Sequence, residues 1–491
     1  DQQPNLNLLL PTRMPQNKKQ VTFFHAMLPI AFLSVVILYG LIARPLFLKQ
    51  DALSLELVFI LASFFSVSEL LCLGISWREI QESIVRKTST ALPAFFILFA
   101  IGIIISSWMI CGTIPMLVYY GLQLVNPKYL YLVSFLIPVV FSTLTGTSWG
   151  SVGSIGVVLI GMAGAMEANL GITAGAIIGG AYFGDKMSPL SDTTNLAALA
   201  ANVDLFDHVR SMMITTIPSA LLAAAGYLIL GFTHPPATQL LELGKLAPFL
   251  DSLKSMFSFG ILLLIPPAIV LIGSLRKHPT VPTLLSSALA AFALALLFQR
   301  FTIADVSNAL STGFAGSMAP WAGDLPSQTM TLVNRGGLYS MSQAIFVAFL
   351  VFFFIGSIDT IDAMPRVVTR VCAFAKTRTA TILSALAATG LTNAMTSNQY
   401  ATSFIVGDAF KSRFDNLRIS RKVLSRSLED YGTMIESIVP WTSTSIFMVA
   451  TLGVPWAEYW HWQLLSLINL IVAPAIAVLG IGCFYNETDK A

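Results

Sequence analysis

Long apolar stretches separated by short polar loops recur along almost the whole chain. Residues 23–43, 52–74, 211–233, 255–274 and 463–483 each run for about 20 residues, enough α-helix at 1.5 Å per residue to cross a hydrocarbon core of about 30 Å. Two further stretches are long but interrupted. Residues 129–163 are broken by TLTGTSWGS at 143–151, and residues 379–410 carry TNAMTSNQ at 392–399. Irregular backbone at membrane depth is tolerated only where protein or a water-filled cavity surrounds it, so both are expected to be re-entrant helical hairpins. The pattern predicts an all-α polytopic membrane protein with about ten transmembrane helices, two re-entrant hairpins and discontinuous helices.

The polar positions also repeat. Shifting the second half back by about 251 places Thr396 on Thr145, Glu436 on Asp185, Pro440 on Pro189, Thr442 on Ser191 and Thr444 on Thr193. A shift of about 250 puts Ser357 on Ser107 and Pro365 on Pro115, and one near 226 puts 303–310 on 77–84. The change of shift implies an insertion of about 24 residues around 311–343, which holds the polar stretch APWAGDLP at 319–326.

Loop charge sets the orientation. Arg13, Lys18 and Lys19, then Arg78, Arg86 and Lys87, then Arg276 and Lys277 are expected on the cytoplasmic side, as is the cluster of Lys411, Arg413, Arg418, Arg421, Lys422 and Arg426. Residues 77–89 then lie inside and 302–313 outside, so the two repeats are expected to be inverted, the arrangement that lets one site open to either face. The expected organisation is a flexible tail at 1–20 and a peripheral first span at 21–50. A first repeat at 51–233 contains hairpin 129–163 and broken helix 171–203, and a linking span follows at 234–279. The second repeat at 280–484 contains hairpin 379–410 and broken helix 428–452, before a tail at 485–491.

Composition agrees: 55% of the 491 residues are hydrophobic and 11% charged, against about 25% charged in soluble domains. The net charge of +3 sits in loops and offers no nucleic-acid surface. The four cysteines have no pairing or metal-ligand spacing, and no cofactor motif is present.

Ionisable residues inside spans are costly and so mark function. The densest group is FGDKMSPLSDTTN at 183–195, where a Gly-rich helix stops and an Ala/Leu helix resumes. The small-residue spacing over 171–184 predicts close helix packing, while the proline and polar run predict an unwound centre. Unwound carbonyls and two half-helix ends, with Ser188, Ser191, Thr193, Thr194 and Asn195, could supply five or six oxygens to a dehydrated Na+, with Asp185 or Asp192 giving the charge. The second-half counterpart is EDYGTMIESIVPWTSTS at 429–445, with Glu436 and the hydroxyls Thr442, Ser443 and Thr444. Thr145, Thr147 and Ser148 at one hairpin tip, and Thr396, Ser397 and Asn398 at the other, are expected to close the site. A proton-coupling carboxylate must let Na+ and H+ compete for its oxygens; Asp185, Asp192 and Glu436 are the candidates, and Na+ is assigned to Asp185, Asp192, Ser191 and Thr194. Lys186 has two readings, a counter-ion for Asp185 or Asp192, or a cation for a substrate carboxylate. Asp359, Asp362 and Glu69 read equally as ligands or as structural acids.

The string FGDKMSPLSDTTNLA at 183–197 closely resembles the signature of the NhaC family of Na+/H+ antiporters, and looser resemblance extends over 77–467. The resemblance implies secondary active transport by alternating access, elevator-like, in a homodimer of the ion-transporter superfamily. Residues 77–89 and 302–313 would be arms joining scaffold and transport domains, in a bacterial inner membrane with both termini cytoplasmic. Some members look like malate/lactate exchangers or amino-acid transporters, which is the alternative for the cargo and would engage Lys186, Asn195 and Asn398. An ion channel fits the inverted repeat and broken helices less well. An enzyme would need a nucleophile/His pair, a metal-ligand set or a nucleotide loop, none of which is in the sequence.

Overall fold

A computed structural model describes residues 21–237 and 243–485. Among them all regular structure is helical apart from one isolated bridge, Phe314 to Arg335. Among the described residues, eight helices are long and apolar enough to cross a membrane, or up to ten when each of two bent pairs counts as one span. The tail expected at 1–20 lies outside the described residues, as does the one at 485–491 apart from Tyr485.

Numbered along the chain, the principal helices begin with α1 Phe23–Ile37, α2 Leu55–Cys72, α3 Trp77–Ile110, α4 Thr113–Leu124 and α5 Leu130–Thr145. There follow α6 Ser148–Ala165, which contains a π turn, then α7 Leu170–Met187, α8 Asp192–Ala201 and α9 Leu205–Thr233. The middle of the chain forms α10 Leu243–Met256, α11 Ile265–Leu275, α12 Thr280–Phe298, α13 Ile303–Thr312 and α14 Ser327–Val333. The last seven are α15 Ser342–Asp359, α16 Ala363–Phe374, α17 Arg378–Thr396, α18 Gln399–Asn416, α19 Arg421–Tyr431, α20 Ser443–Leu452 and α21 Leu464–Leu479.

Residues up to 90 with 352–367 form one compact unit. Phe32 stacks on Phe65 with ring centroids 4.1 Å apart. Ser66 and Ser357 share a buried 2.7 Å hydrogen bond, and Ser83 donates to the Gly356 carbonyl at 2.9 Å. Gly356 is required here, since a Cβ would come within 2.6 Å of the Ile84 Cα. Asp359 pairs with Lys87 at 3.4 Å, which assigns it a structural role. Both carboxylate oxygens of Glu69 are enclosed without a hydrogen-bond partner among the described residues.

Residues 91–351 with 368–491 form the second unit. Its apolar core joins α8, α17, α18, α19 and α21 through Ala197, Leu386, Val406, Phe410, Leu428 and Ala473. Glycines set the packing of α7. A Cβ on Gly180 would lie 2.1 Å from the Phe135 carbonyl oxygen, one on Gly184 2.2 Å from the Thr143 nitrogen, and one on Gly175 2.5 Å from the Trp462 carbonyl oxygen. These close approaches match the small-residue spacing. Within the linking span expected at 234–279, the apolar stretch 255–274 is not one straight helix: the chain bends by 96° between the helical stretches at 246–256 and 261–275. Non-helical residues precede Gly260, and Pro266-Pro267 then opens α11, where a missing N–H costs nothing.

The repeat of polar positions is a repeat of backbone. Helix α5 ends at Thr145 and α17 at Thr396; α6 ends at Ala165 and α18 at Asn416; α8 spans Asp192–Ala201 and α20 Ser443–Leu452. Asn169 caps α7 and Ser420 caps α19. Every one of these pairs is 251 residues apart. Left-handed residues recur at the same interval, Gly146 with Ser397, Glu167 with Arg418 and Asn202 with Gly453, and at 250 for Gly112 with Asp362. A non-glycine residue adopts that region at a cost of about 1 kcal/mol, so its recurrence across unlike side chains reflects a shared chain path. Helix α3 runs unbroken for 34 residues, so the arm expected at 77–89 is the start of a longer helix. Its counterpart is split into α13 and α15 by the inserted segment, whose Gly337 N–H donates to the Gly102 carbonyl at 2.8 Å.

Candidate functional site

The first broken helix ends at a proline-directed exit, whereas in the second repeat α19 stops at Tyr431 and a 3-10 turn at Thr433–Ile435 precedes Pro440. Pro189 disfavours helical backbone at the preceding residue, and Ser188 is extended at φ −79, ψ 127. The chain re-enters α8 at Ser191, leaving the carbonyls of Asp185 and Lys186 without partners within their helix. The Thr194 hydroxyl donates to both at 3.0 Å. In the second repeat Thr442 and, at 3.1 Å, Ser445 donate to the Glu436 carbonyl. Thr194 and Ser445 are again 251 apart, so the two breaks are stitched alike.

The two carboxylates sit at these breaks. Asp185, 8% exposed, accepts from Ser148 at 2.5 Å on one oxygen and from Ser191 at 2.6 Å on the other. Thr193 lies 3.0 Å from the Ser191 hydroxyl. Glu436 accepts from Thr444 at 2.8 Å and from the Asn393 amide at 3.3 Å. Asn393 also donates to the Gly432 carbonyl at 2.7 Å, just as Ser142 donates at 2.6 Å to the Ala181 carbonyl 251 residues earlier. Each acid is therefore held by a hairpin residue and by a hydroxyl of the following half-helix, and the two lie within electrostatic reach of each other. Trp149 and Phe447 stack at 4.3 Å and join the first hairpin tip to α20.

The other expected residues divide by role. Thr147 caps α6 through the Gly150 N–H and Asn398 caps α18 through the Ala401 N–H. Thr145 faces Ser151 at 3.4 Å and Thr396 faces Thr402 at 3.1 Å, matching pairs at the two tips. Ser397 accepts from the Ser443 N–H at 2.7 Å. Ser188 accepts from the Leu190 N–H, and Asn195 donates to the Pro189 and Ser191 carbonyls, so both hold the break. Asp192 is exposed in the first turn of α8, apart from the hydroxyls that bind Asp185.

Lys186 has a different partner from those expected. Its ammonium pairs with Asp430 of α19, both groups being fully buried. Asp430 also accepts from Thr215 at 2.8 Å and from Asn469 at 3.2 Å, and the Arg426 Nε lies 3.9 Å away. Arg426, expected in the basic loop, is 2% exposed and donates to the Gly482 carbonyl at 3.0 Å. The reason is register: Arg426 lies four residues before Asp430 on α19 and faces the same interior stripe. Sequence reading passed over Asp430 and Glu429, which align with Gly179 and Ile178 and so leave no trace in the repeat. A buried lysine that needs a counter-charge was the available signal.

The model of the family described as the Na+/H+ antiporter family matches residues 180–481. A Haemophilus influenzae protein named as an uncharacterised Na+/H+ antiporter is 37% identical over 472 residues, covering 96% of this chain and 97% of that protein. The Na+/H+ antiporter NhaC of Alkalihalophilus pseudofirmus is 31% identical, covering 84% and 87% of the two chains. The malate-2H+/Na+-lactate antiporter of Bacillus subtilis is also 31% identical, covering 94% and 98%. The matched region holds both breaks and both carboxylates, and the chain belongs to the Na+/H+ antiporter family, in its NhaC branch.

Proposed function

We propose that the protein exchanges Na+ for H+ across a bacterial cytoplasmic membrane by alternating access, with Asp185 and Glu436 as the carboxylates for which the two ions compete. The observation that carries this is the matched pair of acids at two broken helices, each held by a hairpin side chain, the Ser148 hydroxyl or the Asn393 amide, and by a hydroxyl at the following half-helix, Ser191 or Thr444. Those groups and the exposed carbonyls offer hard oxygens suited to Na+. Asp192, at the edge of the first break, adds negative charge at the entrance. An inverted orientation of the repeats, cytoplasmic termini, elevator-like movement and a homodimer complete the reading.

The likeness to a malate-2H+/Na+-lactate antiporter supports a second cargo, a small organic anion. Lys186 is a weak candidate to bind such a carboxylate, because Asp430 already occupies its ammonium. Proteoliposomes with an internal pH dye separate the readings. Under a Na+ gradient alone, proton movement is the expected result; movement that begins only on adding malate, lactate or an amino acid would replace Na+/H+ exchange with solute exchange.

A further inference from the structure

Lys186, Asp430 and Glu429, all buried near the breaks, depart from the repeat: Lys186 aligns with Ser437, Asp430 with Gly179 and Glu429 with Ile178. Lys186 and Asp430 satisfy each other. Glu429 remains. It lies in α19, 0% exposed, seven residues before Glu436 in the chain. One carboxyl oxygen accepts from the Thr433 hydroxyl at 2.5 Å. The other is enclosed and has no hydrogen-bond partner among the described residues.

An ionised carboxylate with a bare oxygen is strongly disfavoured in a water-poor interior, and a proton on that oxygen removes the charge. From α7, Lys186 and Asp185 act on Glu429, as do Glu436 from the turn after α19 and Tyr400 from α18. Its own helix contributes Asp430 and Arg426. Of the other helices packed on α19, α21 carries no ionisable residue and α17 only Arg378 at its outer start. Helix α8 carries only the exposed Asp192. On α9, His208 is bonded to Ser425 and Asp207 is paired with Lys422, while Arg210 is exposed. Glu429 is thus within reach of the carboxylate pair and separate from it.

We propose that Glu429 is a proton site of the exchange cycle, distinct from the Asp185/Glu436 pair and emptied when Na+ binds there. The inference rests on the exchange reading above. The step is a protonation: one O–H bond forms on the bare oxygen, and the same bond breaks when Na+ brings positive charge to the pair. Whatever part of that charge is not offset by protons leaving the pair is offset by the proton leaving Glu429.

The test is to count protons released when Na+ is added to the purified full-length protein in weakly buffered detergent containing a pH dye. Glu429→Gln should bind Na+ yet release fewer protons per ion than the unaltered protein, by as much as one. The dependence of its Na+ affinity on pH should be correspondingly shallower. An unchanged count overturns the proposal. If the Gln variant is not recovered folded, Thr433→Val keeps the acid and removes its donor. Loss of a donor to the ionised form makes the proton harder to release, so the pH profile of Na+ affinity should move upward by about 0.5 unit or more; an unmoved profile overturns the proposal. Absence of any proton release from the unaltered protein is a different result, which overturns the exchange reading itself.

Discussion

The residues at the two breaks divide into those that offer charge and those that aim it. Asp185 and Glu436 each accept hydrogen bonds on both oxygens from side chains of two separate elements. Asp185→Asn and Glu436→Gln should each lower Na+-driven proton flux in proteoliposomes by roughly 100-fold or more, since a charge-assisted contact is worth up to about 3 kcal/mol. Near-normal flux in one of them would remove that acid from the site. Lys186 and Asp430 form a separate, structural unit. Removing one partner leaves a buried charge, so Lys186→Met should destabilise the protein by roughly 3–5 kcal/mol, while Lys186→Met with Asp430→Asn should recover much of the loss. Thermal unfolding midpoints in detergent measure both. A single variant as stable as the unaltered protein would show that Arg426 alone satisfies Asp430.

Among the elements, α7 carries the site because it can lie directly on α5. Gly184 permits that contact and immediately precedes Asp185, so the same glycine sets the distance between the carboxylate and Ser148. Gly184→Ala places a Cβ 2.2 Å from the Thr143 nitrogen and 2.4 Å from the Ser142 carbonyl carbon. Backbone atoms cannot yield as a flexible side chain does, and overpacking of this kind costs about 1–3 kcal/mol. The half-saturating Na+ concentration should rise along with the fall in thermal stability. Gly164→Ala is the control, since a Cβ there meets nothing within 4 Å. Equal behaviour of the two variants in Na+ titrations would separate α5–α7 packing from ion binding.

For the whole molecule, the recurrence of helix ends and left-handed residues at one interval makes two halves with one chain path. The proposed inversion has a direct test at Glu167 and Arg418, which are exposed, left-handed and 251 residues apart. In a cysteine-free background, a membrane-impermeant maleimide on intact cells should label Glu167→Cys and spare Arg418→Cys, which belongs to the basic loop. Labelling of both from outside would rule out the inversion.

By itself the sequence determined the membrane class, because helices of about 20 apolar residues have no other stable solvent. It also determined the repeat, because a common chain path keeps proline, hydroxyl and acid at common positions. Both breaks were legible for the same reason: an acid, a proline and a run of hydroxyls stand together around Pro189 and around Pro440, a polar run that an isolated proline inside a span, such as Pro93 of the unbroken α3, does not have beside it. Only the tertiary structure decided who pairs with whom. Lys186 meets Asp430 across 244 residues of chain, a contact that no spacing encodes. Arg426 turned inward because its face of α19 carries the acid it serves. Asp192 lies outside the Asp185 hydroxyl cluster because it begins a helix that Ser191 and Thr194 tie back to Asp185. Glu429 owes its isolation to enclosure by neighbouring helices, and burial from every side is a property of packing rather than of any single segment.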